Sequence, residues 1–327
     1  MVSYSYKNKV KLFKEENTMS NLSFLQTEKA HTGFGNEIVN ASSYEDALEQ
    51  AGLNWTVSSH PVFTELGGQP IAIPKTKAIV RNEDRKTLGI VTDKYKLVNN
   101  ADAFAFTESI FKSQDISFER GGSYRGGKAT WIEARVNSEY TVLGDKTTCY
   151  MIFMNSHDGT CSVRALMLPI RIACSNQLNF AIKSAARSWR CIHSGDPLQR
   201  IAEAKQVLLA GSEYMTALQK EAEVLNQKKL TTSEVEGMVT FLFPILPDMS
   251  QRVQEARKES REQLLTVYHE KEDLQNFDQN AYRFLSAVVD YVAHVEGKRT
   301  TSTATLNRYM NIALGNPIID KAYNLVR

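Results

Sequence analysis

FERGGSYRGGKATWIEARV, residues Phe118 to Val136, sets two glycine pairs around Ser123, Tyr124 and Arg125 and ends on the strand-like run Thr130 to Val136. Glycine tolerates positive φ, so each pair can turn or bulge the chain, and the stretch reads as an antiparallel hairpin. Downstream, a second strand pair is expected around Tyr150 to Met154 and Ser162 to Leu168, joined by the polar turn Asn155-Ser156-His157-Asp158-Gly159. Upstream, Ala78-Ile79-Val80 and Gly89-Ile90-Val91 are apolar segments separated by Arg81 to Lys86, another hairpin signal. Leu53 to Pro61 reads as extended. Helices are expected at Tyr44 to Ala51, with Ser43 as N-cap and Gly52 as stop, and at Asn100 to Phe111.

Beyond Pro197 the apolar period becomes helical. Ile201, Ala204, Leu208, Met215, Leu218, Ala222 and Leu225 mark one long amphipathic helix. Thr231 and Glu234 form a capping box before Val235 to Phe243, which Pro244 and Pro247 terminate. Further helices fall near Met249 to Glu270, Asn280 to Glu296 and the C-terminus. The fold class is therefore α+β, an antiparallel sheet with helices in the N-terminal half and a helical C-terminal half. Residues 1–41 are expected to be a flexible lead-in, 42–196 the strand-rich region and 197–327 a helical region able to share its core.

The 327 residues are 42% hydrophobic, enough for a sizeable core. No apolar run approaches the ~20 residues of a membrane span, and the first residues have no secretory pattern. A soluble cytoplasmic chain is expected, with Met19 an alternative initiator. Cys149, Cys161, Cys174 and Cys191 have no metal-type spacing and read as reduced, buried thiols. The six histidines form no metal motif, and neither a nucleophile elbow nor a phosphate loop is present, so no metal or cofactor is expected.

A formal net charge of +2 hides an uneven distribution. Between Asp158 and Glu203 the only acid is Asp196, against Arg164, Arg171, Lys183, Arg187, Arg190 and Arg200. Cations neutralise phosphates and an aromatic face can stack a base, so KSAARSWR (Lys183 to Arg190) suits single-stranded nucleic acid. The candidate nucleic-acid contacts are Arg120, Arg125, Lys128, Arg164, Arg171, Lys183, Arg187 and Arg190, with Tyr124 and Trp189 as stacking platforms. A protein-interaction role, with a host or phage partner, suits the amphipathic helices. A third arrangement gathers Asn155, His157, Asp158, Arg164, Cys174 and Asn176 into a polar pocket for acid–base chemistry. No spacing requires that chemistry, so binding is expected ahead of catalysis.

Four segments in order resemble a known family: Leu88-Gly89-Ile90-Val91-Thr92-Asp93-Lys94-Tyr95, Gly121 to Lys128 with Trp131, Asn155 to Gly159, and Pro169 to Asn179. They are similar to the phage/plasmid-like protein family, also described as domain of unknown function 932, over about Tyr44 to the C-terminus. Ala30-His31-Thr32-Gly33 departs from it where members often carry a Trp-His-Gly-type segment. The resemblance implies a setting on phages, plasmids and transferred islands and assigns no catalytic residue.

Overall fold

In the computed structural model the described residues are 34–112, 116–171, 176–177, 188–201, 211–295 and 301–327. Phe34–Arg327 forms one compact unit. Strand β1 (Asn36–Glu37) precedes helix α1 (Tyr44–Gln50), whose Ser43 side chain accepts from Asp46 N as expected of the cap. Because β1 pairs with β5 (Ile116–Tyr124), residues 34–41, expected in the lead-in, belong to the compact unit.

β2 (Val57–Leu66), β3 (Gln69–Arg81) and β4 (Thr87–Thr92) make a three-stranded antiparallel sheet. The 78–91 hairpin matches expectation, whereas the β2–β3 hairpin through Gly67-Gly68 was not anticipated. Asn100 to Phe111 divides into α2 (Asn100–Phe104) and α3 (Thr107–Lys112).

The larger sheet is an antiparallel meander of β5, β6 (Ala129–Val136), β8 (Asp145–Ser156) and β9 (Val163–Arg171). The short strands β7 (Tyr140–Val142), β10 (Asn176–Gln177) and β11 (Ser188–Cys191) pair with β8, β9 and β9 respectively. Of the two glycine pairs, only Gly126-Gly127 makes the turn, with φ of 72° and 91°. Gly121 sits inside β5, where a Cβ would come 2.8 Å from that of Ala51, so its missing side chain lets the C-terminal end of α1 lie against the strand.

Alternation along these strands gives the sheet two buried faces. Ile132, Ala134, Met151, Phe153, Ala165 and Met167 join α1 and α2 in the main core. On the opposite face Trp131, Glu133, Tyr150, Ile152, Leu166 and Leu168 are also fully or nearly fully buried.

The C-terminal half holds α4 (Pro197–Ile201), α5 (Gly211–Gln227), α6 (Thr232–Leu242), α7 (Gln251–Glu270), α8 (Ala281–Asp290), α9 (Ser302–Leu314) and α10 (Pro317–Val326). The middle of the expected 201–225 helix lies outside the described residues. The Thr231–Glu234 capping box is complete in both directions. Residues of α5 to α8 and α10 belong to one core cluster with residues of the strands. No described helix is long and apolar enough to cross a membrane.

Candidate functional site

The loop after β8 is built by its own side chains. The Asp158 carboxylate accepts from Thr160 N at 3.0 Å and Thr160 Oγ1 at 2.6 Å, and Ser156 Oγ accepts from Cys161 N at 3.1 Å. Arg125, at the β5–β6 turn, donates to Thr160 Oγ1 at 2.9 Å, and Lys128 O accepts from His157 N at 2.8 Å. β4 lies directly on this loop. A Cβ at Gly89 would come 2.6 Å from Asp158 Cα, so only glycine fits there without a backbone shift. Asp158→Ala should cost about 1 kcal/mol, a typical net hydrogen-bond contribution, in a denaturant titration.

Between the end of β4, this loop and the segment after β11 lies a cleft of about 360 Å³. Among the described residues its walls carry Lys94, Arg164 and Arg190 and no carboxylate. Arg164 and Arg190 are register partners of the β9–β11 ladder, so two like charges stand side by side on one face. Directly opposed like charges destabilise a sheet unless something neutralises them. Arg164 Nε donates to Ser162 Oγ at 3.1 Å, and among the described residues neither guanidinium has an acidic partner. The cleft also holds the half-buried Cys161 and a stacked pair, Tyr95 and His193, with centroids 4.6 Å apart. Tyr95 donates to Ser156 O at 2.7 Å and His193 Nδ1 to Lys96 O at 3.1 Å, which fixes that pair in place. Burial lowers the His193 pKa. Tyr124 borders the same region: burial raises its phenol to about 12, with Arg125 and Arg164 pulling the other way.

Of the expected nucleic-acid contacts, Tyr124, Arg125, Arg164 and Arg190 thus gather around one cleft, with the exposed Lys128 on the neighbouring turn. Two members of that set do not belong to it. Arg120 is interior: it opposes Glu133 across the β5–β6 ladder, donates to Phe34 O at 3.2 Å and lies over the Phe34 ring. Trp189 occupies a strand, and strand alternation sends it to the face opposite Arg190, against Phe106 and the main core. Cys174, Lys183 and Arg187, with the side chains of Arg171 and Asn176, lie outside the described residues.

The expected acid–base pocket is not assembled by the side chains that are described. Asn155 Nδ2 donates to Val98 O at 3.0 Å, and His157 Nε2 donates to Asn100 Oδ1 at 3.0 Å. Both are buried structural links to α2 and its approach, while Asp158 serves the loop. Of this group only Arg164 lines the cleft. Lys94, Tyr95 and His193 were not anticipated as cleft residues; the DKY that ends the first quoted family segment was the available signal.

The family model described as Domain of unknown function (DUF932) matches residues 87–313, which include every lining residue of the cleft. No curated protein and no solved structure matches the chain. With more than half of its residues inside that match, the chain belongs to the DUF932 family.

Proposed function

We propose that the chain binds nucleic acid, preferentially single-stranded, through the phosphates it seats in this cleft. The supporting observation is the Arg164–Arg190 cross-strand pair beside Lys94, with no acidic partner and no lining carboxylate among the described residues. Phosphate oxygens are the groups that such a cluster takes up, with release of counterions. The reading extends to a cytoplasmic accessory role in replication, recombination or establishment of a mobile element, for which the resemblance to phage/plasmid-like proteins is the support.

Anisotropy of a labelled single strand tests the proposal. Arg164→Ala/Arg190→Ala should weaken binding and lower the log–log salt slope by about 1.4, since each single-strand phosphate contact contributes about 0.7. Thermal stability should hold or rise slightly, because a like-charge pair is removed. Asp158→Ala should keep its affinity. Absence of binding to single- or double-stranded oligonucleotides at low salt would refute the proposal.

A protein-interaction role has one observation of its own: Phe241, Leu246 and Val253 are 62%, 48% and 41% exposed around the α6–α7 connection. Recovery of one stoichiometric partner in a nuclease-treated pulldown, lost on Phe241→Ser, would favour it.

A further inference from the structure

We infer that the distal hairpin Phe63–Ala72 is an arm that packs onto the bases of a strand held in the cleft, with Phe63 as the stacking side chain; the inference rests on the proposed nucleic-acid role. The hairpin has four cross-strand pairs, Phe63↔Ala72 to Leu66↔Gln69, around a two-residue turn. Gly67 and Gly68 at φ 60° and 77° give that turn the twist of its strands. Among the described residues nothing packs on it, and every residue from Phe63 to Lys75 is exposed. A two-stranded ribbon is marginal by itself in water, yet this one displays Phe63 at 55%, Leu66 at 72% and Ile71 at 46% exposure.

Its base is tied to the rim of the cleft. Asp93 N donates to Lys75 O at 3.1 Å, Lys77 Nζ donates to Asp93 O at 3.3 Å, and Thr76 pairs with Thr92. Lys94, one residue beyond Asp93, lines the cleft. Lys75, Lys77 and Lys94 are therefore the three cations of this junction, against one acid, Asp93, between the cleft arginines and the hairpin. A polyanion lying on that junction puts its phosphates on the cations and leaves its bases to meet the ribbon. A second copy of the chain would bring the same lysines to the contact, which disfavours it as the occupant. Aromatic stacking on bases is sequence-tolerant and adds to phosphate contacts.

The test uses the full chain and a labelled single strand. Phe63→Ala should weaken binding about tenfold, the scale of a lost base stack, while leaving the salt slope unchanged because no counterion is involved. Phe63→Trp should keep the affinity, and its added emission should be quenched as the oligonucleotide is titrated in. Wild-type affinity in Phe63→Ala, or an unquenched Trp at saturation, would overturn the arm while leaving the cleft standing. Loss of a wild-type dimer in Phe63→Ala, with affinity unchanged, would give the hairpin to a second copy and overturn it likewise. A parent chain that binds no oligonucleotide would overturn arm and cleft together.

Discussion

At pH 8, Glu133→Gln should be more stable than the parent chain by up to about 3 kcal/mol, and the difference should shrink toward zero as the pH falls below 4.5. Glu133 is 1% exposed on β6, opposite Arg120, and its carboxylate accepts from the Tyr309 hydroxyl of α9. Burial raises its pKa to about 7 from an ordinary 4.5, against the lowering effects of Tyr309 and Arg120. Between those values the folded chain holds a proton that the unfolded chain has released. Stability therefore falls as pH rises through that window, and above it the charged, buried carboxylate costs about 3 kcal/mol. Glutamine keeps an oxygen for Tyr309 and carries no charge. Urea titrations at pH 5 and pH 8 measure the effect; a stability difference independent of pH would rule it out.

On the acid side, His157→Gln should remove an opposite dependence of similar size. Burial, with His193 nearby, lowers His157 to about 4 from 6.5. The unfolded chain takes up the proton first, so this contribution is complete above pH 6.5 and is lost as pH falls through 4, about 3 kcal/mol in all. Glutamine can still donate to Asn100 Oδ1 but does not titrate. Over pH 4.5 to 6.5 the two groups offset each other in the parent, whose stability should look nearly flat. Glu133→Gln should then fall steeply toward acid and His157→Gln toward alkali. If His157→Gln shows the parent's profile, the histidine is not the group responsible.

What could be read without coordinates was local. Ser43, the Thr231–Glu234 box and the hairpin through Arg81 to Lys86 depend on neighbours within a few residues, and they stand where expected. The β2–β3 hairpin was missed because Pro61, Pro70 and Pro74 interrupt the strand signal and conceal the Gly67-Gly68 turn. Within the candidate site the failures came from register. A bulge between Phe118 and Arg120 sets Arg120 opposite Glu133, a relation that exists only once strands are paired, and alternation separates Trp189 from Arg190 because Ser188–Cys191 is a strand, which the cation-rich segment did not signal. His157 drew attention for its neighbours Ser156 and Asp158, but its environment is set by Asn100 and Trp55 from far earlier in the chain. Two residues of the cleft, Arg164 and Arg190, could be named as candidate phosphate contacts because they stood out in an acid-poor stretch.

The Tyr309–Glu133 contact joins residues 176 positions apart. The meander from β5 to β9 is made of sequential neighbours and can pair early, whereas the helix that supplies Tyr309 is synthesised long after it. At 5–20 residues per second, roughly ten to thirty seconds of synthesis separate the two. For that interval Trp131, Glu133 and Tyr150 wait on a sheet face without this cover, and a nascent or truncated chain ending before Ser302 would be the species most in need of a chaperone.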